Sequence, residues 1–127
     1  MGREEAIHKA QQFLDDGRFF ELLAQRVAAN TAIGNDSTGS ANIEYFNNLL
    51  IPSLQSLNFD CRVYPNQQAA GAPFLIATRI ENPALPTILI YGHGDTVPTM
   101  DGQWQEGLFP LILLSKQGRW YGRGTAD

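Results

Sequence analysis

Two ionisable side chains, His93 and Asp95, stand two positions apart in "YGHGDTVP" (residues 91–98), between Gly92 and Gly94 and directly after the aliphatic run "TILIY". Residues two apart on an extended chain point to the same side, so both can face one space. An imidazole that ligates a metal through one nitrogen is fixed in tautomer and orientation when a carboxylate accepts a hydrogen bond from the other. The spacing is compatible with that hydrogen bond but does not require it. A plainer reading makes His93 a hydrogen-bonded turn residue and Asp95 the cap of a following turn, and "GHGD" alone does not separate the two. The flanking glycines remove side-chain bulk and permit unusual backbone angles.

A second stretch, "WYGRGTAD" (residues 120–127), ends in a carboxylate, Asp127, after a glycine-rich turn. Gly122 and Gly124 echo a dinucleotide-binding loop, but aspartate stands at the third glycine position and would repel a pyrophosphate. Nucleotide binding is therefore set aside. A carboxylate delivered by such a turn is better suited as a hard oxygen ligand. With His93 it supplies the nitrogen and oxygen donors that suit Zn²⁺, and also Mn²⁺ or Co²⁺.

The elements that must position these groups follow from period and punctuation. Apolar residues at helical spacing (Ala6, Ala10, Phe13, Leu14) predict a helix over 4–14, broken by "DDG" with Gly17 in a left-handed position. A second helix is expected over 18–29, and its stripe comprises Phe19, Leu22, Leu23, Arg26 and Val27. "NTAIGNDSTGS" reads as a polar loop. Ser40 is expected to cap a third helix over 41–57, kinked by Pro52. The period then changes. "FDCRVYP" and "PFLIATRIE" read as strands, "ENPALP" as a turn, and "TILIY", continuously apolar, as a strand buried on both faces. "LFPLILLSKQGRWYG" adds another strand turning at "KQG". Helices followed by strands predict an α/β domain, helices packed on a mixed β-sheet. In such sheets ligands gather at the carboxyl edge of the strands, where His93 and Asp95 would fall.

Composition narrows the function. A chain of 127 residues with 43% apolar residues suits one packed domain. A formal net charge of -4 and the lack of a basic run argue against nucleic acid as a partner. The polar N-terminus lacks a signal-peptide core, the apolar runs are too short to span a bilayer, and "MGREEA" lacks the Ser or Thr of a myristoylation site at residue 6. A cytoplasmic protein without membrane partners is the expectation. The lone Cys61 excludes an internal disulfide and a cysteine-based zinc site, and reads as a half-buried strand thiol.

Taken together, "YGHGDTVP", the tryptophan and "FP" some ten residues on, and "GRWYGRGTAD" resemble the co-catalytic zinc metallopeptidase family of carboxypeptidase G, acetylornithine deacetylase, succinyl-diaminopimelate desuccinylase and the carnosinase-type dipeptidases. The specificity of the resemblance rests on Tyr91 to Asp127. It implies that His93 is a terminal ligand of one metal ion, Asp95 the carboxylate that orients it, and Asp127 the bridge between two zinc ions. It also implies that Gly122, Arg123 and Gly124 shape the turn that delivers Asp127, Arg123 as a bracing donor. Trp104 and Phe109 are expected to pack within the connecting loop rather than touch substrate. The implied reaction is hydrolysis of the amide of a dipeptide or N-acylated amino acid, with two metals polarising the carbonyl and a glutamate shuttling the proton. The motif wording sits nearer the dipeptidase and carboxypeptidase branches than the desuccinylases.

The family pattern continues past the bridging aspartate with a cis peptide, "KG", a glutamate pair, two further ligands and a lid or dimerisation domain, the basis for a homodimer. The sequence ends at Asp127, and Glu44 and Glu81 do not match the glutamate pair. The resemblance thus implies the N-terminal portion of a zinc-peptidase-like catalytic domain, inactive and poorly soluble by itself. The alternative is a non-catalytic binding module that keeps the first half of the fold.

Overall fold

The computed structural model describes residues 2–34, 39–67 and 72–126. Backbone contacts divide the chain into two units, one of Met1–Ala29 with Thr99–Asp127, the other of Asn30–Pro98.

The first unit opens with two helices, α1 (Arg3–Asp15) and α2 (Arg18–Ala28). Gly17 separates them at φ 86°, the left-handed position expected of it. Its N–H reaches the Leu14 carbonyl at 3.3 Å and its own carbonyl accepts from Glu21 N–H, so one residue ends one helix and starts the next. Helix α1 buries no residue, and Leu14 of its apolar stripe is half exposed. Helix α2 does bury its stripe at Val27, and its Phe19 and Phe20 rings lie 5.9 and 5.1 Å from Trp120. Trp120 belongs to a hairpin of β3 (Leu114–Lys116) and β4 (Arg119–Tyr121). Both residues of its two-residue turn, Gln117 and Gly118, have positive φ, the twist that matches a tight antiparallel hairpin. Val27, Leu108 and Leu113 form the buried apolar centre of this unit.

In the second unit α3 (Ser40–Tyr45), a π-helical turn (Phe46–Leu50) and α4 (Ile51–Gln55) follow one another without a break. The N-cap position is held by Gly39, in the left-handed region at φ 72°, and Ser40, expected to cap, is instead the first helical residue. Proline at position 52 has no N–H, and its ring crowds the carbonyl four residues back. The chain meets this with a wide turn, Ile51 N–H reaching the carbonyl of Phe46 five residues back.

Strands β1 (Asp60–Tyr64) and β2 (Phe74–Thr78) pair antiparallel, with Cys61 opposite Ala77 and partly buried, as its alternating context suggests. Asn82 then turns the chain, accepting from Ala84 N–H on its side chain and from Leu85 N–H on its carbonyl. Among the described residues of this unit, Thr31, Ala32, Gly39 and Phe46 are buried.

The structure corrects the expected sheet. Among the described residues there are two separate two-stranded antiparallel sheets rather than one mixed sheet. The run "TILIY" is not a strand: Ile88, Leu89, Ile90 and Tyr91 are 82–94% exposed. Continuous apolarity identifies a segment suited to burial on both faces, but a lone strand leaves its backbone groups and side chains to water. No described segment hydrogen-bonds alongside it to form a ladder. What remains is an α/β chain of helices and small antiparallel hairpins.

Candidate functional site

The histidine motif is an irregular segment held by hydrogen bonds at one end. Residues 31–33 run parallel to it, with Ala32 bridging Thr96. Thr96 N–H donates to the Thr31 carbonyl at 3.2 Å, and Ile33 N–H donates to the Thr96 carbonyl at 2.8 Å. The Thr31 hydroxyl donates to the carbonyl of Gly94 at 2.6 Å. Within this segment His93 Nδ1 lies 3.0 Å from the backbone carbonyl of Asp95 and 3.5 Å from its carboxylate Oδ1. An Nδ1 that faces a carbonyl oxygen carries the proton, which in a neutral imidazole puts the lone pair on Nε2. Both side chains are about two-fifths exposed. The two groups expected on one side are therefore in contact, and the nearer acceptor is the peptide oxygen, not the carboxylate.

The two glycines of this motif differ. A Cβ on Gly94 would stand 2.8 Å from Tyr45 Cε1, so the ring requires a residue without a side chain there. Gly92 has open space where its Cβ would be, and neither glycine has positive φ. Close approach, not unusual backbone angles, accounts for Gly94.

The second motif is built on the β3–β4 hairpin. After Tyr121 the chain turns back through residues 122–126, with Thr125 Oγ1 and N–H both directed at the Gly122 carbonyl and Gly124 at φ 80°. A Cβ on Gly122 would lie 2.9 Å from Val27 Cγ1 on α2. Arg123 braces the turn as expected: its N–H donates to the Pro110 carbonyl at 2.7 Å and its Nη2 to the Thr99 carbonyl at 3.0 Å. The same Thr99 oxygen accepts from Trp104 Nε1 at 2.7 Å, and the Arg123 guanidinium lies 5.3 Å from the Trp104 ring centroid. Trp104 is thus a packing residue of the loop. Phe109, given the same role from sequence, is 52% exposed and does not pack as expected; its backbone bridges to Ile112. Asp127 lies outside the described residues.

Among the described residues no group of three or more His, Cys, Asp or Glu could hold a metal ion. What the chain offers a metal there is one imidazole with its Nδ1 side already directed at Asp95. That donor arrangement fits a single nitrogen ligand with an orienting partner. Two contributors were not legible in the sequence. Thr31 sits in a loop read only as polar, and Tyr45 in a helix read only from its expected cap and proline kink. Their partners lie far along the chain, so no local pattern marks them.

Comparison with known proteins gives the motifs a context. Over 109 residues, 86% of the chain, it is 34% identical to an acetylornithine deacetylase of Proteus mirabilis and 32% identical to that of Photorhabdus laumondii, covering 27% of each. Over 75 residues, 58% of the chain and 16% of the relative, it is 37% identical to a cysteinylglycine-S-conjugate dipeptidase of Corynebacterium striatum. The chain spans about a quarter of the length of the deacetylases it matches. No protein-family model matches it, and no solved structure matches it significantly. The relatives bear deacetylase and dipeptidase names, the two activities grouped by the motif resemblance. Over the quarter of their length that it spans, the chain is a partial match to the co-catalytic metallopeptidase family of the acetylornithine deacetylases and dipeptidases.

Proposed function

We propose that this chain is part of a metal-dependent hydrolase that cleaves the amide bond of a dipeptide or an N-acylated amino acid. In this reading His93 is a terminal metal ligand, Asp95 its orienting carboxylate and Asp127 the carboxylate shared by two ions, zinc by preference, with Mn²⁺ or Co²⁺ as substitutes. The observation that carries it is the contact of His93 Nδ1 with Asp95, which holds the proton on Nδ1 and presents Nε2 as the donor. The motif order and the names of the relatives support it. When bound, the metal ions supply Lewis acidity and lower the pKa of water toward neutrality. The chain's own contribution is to fix the imidazole through Asp95 and to bring carboxylate oxygen to the site. A cytoplasmic location and a homodimeric whole protein belong to the same reading.

The test uses the complete gene product that contains this chain. His93→Ala and Asp127→Asn are each expected to lower bound zinc, measured by elemental analysis, and to abolish hydrolysis of N-acetylated amino acids and dipeptides. Asp95→Asn is expected to keep zinc but weaken it about 10- to 100-fold against a competing chelator. Unchanged zinc content in both His93→Ala and Asp127→Asn would sink the reading.

A further inference from the structure

Thr31 is 5% exposed, the one buried polar residue among those described, and the mechanism above gives it no part. Its hydroxyl donates to Gly94, the residue between His93 and Asp95, from 63 positions away. Its carbonyl accepts from Thr96, the residue after Asp95. One residue thus grips the peptide on both sides of Asp95. Asp95 in turn provides the carbonyl oxygen that faces His93 Nδ1. From another side the Tyr45 ring fills the space beside Gly94 that a Cβ would take.

We infer that Thr31 is a positioning residue for the proposed metal ligand, fixing the orientation of the His93 imidazole through the Gly94 and Asp95 peptides. The inference rests on the metal-site reading and adds a residue to it. Thr31 touches neither substrate nor metal in this role. Its hydroxyl sets where the Asp95 carbonyl stands, and that carbonyl sets the imidazole. Outer partners of this kind tune metal affinity more than they tune the fold.

The experiment compares Thr31→Val, which keeps shape and removes the donor, with Thr31→Ser, which keeps the donor, in the complete gene product. Zinc affinity is read against a competing chelator, and exchange of the Thr96 amide is followed by hydrogen–deuterium mass spectrometry in metal-free protein. Thr31→Val is expected to weaken zinc about tenfold and to speed exchange at Thr96, while Thr31→Ser stays close to wild type in both. His93→Ala is run alongside. If it leaves zinc affinity unchanged, the ligand reading fails, and with it Thr31's role toward metal. If His93→Ala lowers affinity but Thr31→Val does not, or Thr31→Ser falls as far as Thr31→Val, the ligand reading survives and the positioning role is overturned. Should Thr31→Val not fold, Thr31→Cys, a weak donor of similar size, is expected between wild type and His93→Ala; wild-type affinity there also overturns the role.

Discussion

The α-carbon of Gly122 approaches Val27 so closely that a methyl group on it would lie 2.9 Å from Val27 Cγ1. Val27 is 4% exposed on α2 and has no room to retreat, so the clash must be relieved by moving the turn itself. Gly122→Ala is expected to cost about 1–3 kcal/mol in denaturant unfolding. Val27→Ala opens the missing space, so the double variant should be less destabilised than the sum of the singles, with coupling of at least about 0.5 kcal/mol. Strict additivity would mean that the two residues do not meet.

Arg123 and Trp104 share the carbonyl of Thr99, and the guanidinium also covers the indole. Arg123→Gln removes the charge-assisted hydrogen bond and the cation–π contact and is expected to destabilise by about 2 kcal/mol. Lysine keeps charge without the planar fork, so Arg123→Lys should recover only part of this. Amide exchange over residues 99–104 is the readout; equal protection in wild type and Arg123→Gln would show that the loop is held by something else.

The run Ile88 to Tyr91 presents four large apolar residues to solvent. Such an unpaired, uncharged segment is a template for association. The 127-residue polypeptide expressed by itself is therefore expected to elute as oligomers or aggregate in size-exclusion chromatography with light scattering. Leu89→Lys and Ile90→Lys should shift it toward monomer. A monodisperse wild-type monomer would contradict this.

Between the two N-terminal helices, Asp16 accepts from Arg18 Nε at 2.8 and 3.0 Å, which holds its carboxyl below the ordinary aspartate value. A carboxylate with a lowered folded-state pKa adds stability above its unfolded value, and this is lost as the pH falls through the folded value. The gap in thermal midpoint between wild type and Asp16→Asn should stay constant above pH about 5 and narrow on acidification below about 4. The pair is exposed, so the gap is small at high salt. A gap independent of pH would remove the pair from the acid limb.

Much of the local structure was legible in the pattern of residues. Helices α1 and α2, the left-handed Gly17, the β1–β2 pair and the turn after Lys116 follow from period and turn chemistry, which act over a few residues. A distortion of the third helix at Pro52 is expected from sequence; the π-helical turn before it is not, because a proline forbids one hydrogen bond without dictating which longer one replaces it. The helix starts one residue earlier than expected, with Gly39 in the left-handed region at the cap position, because the entry turn and not a capping side chain sets the start. The strand "TILIY" was misread because apolarity reports what a segment would bury, not whether a neighbour is there to bury it.

The residue order alone determined which groups can do chemistry: an imidazole and a carboxylate two apart, a second carboxylate behind a glycine-rich turn, and their kinship with amide hydrolases. Only the tertiary structure decided what holds them. The Thr31 hydroxyl on Gly94, the Tyr45 ring that forbids a side chain there, and the Val27 methyl that does the same at Gly122 join residues far apart in the chain. Contacts of that kind depend on where the backbone returns in space, and no local periodicity encodes it.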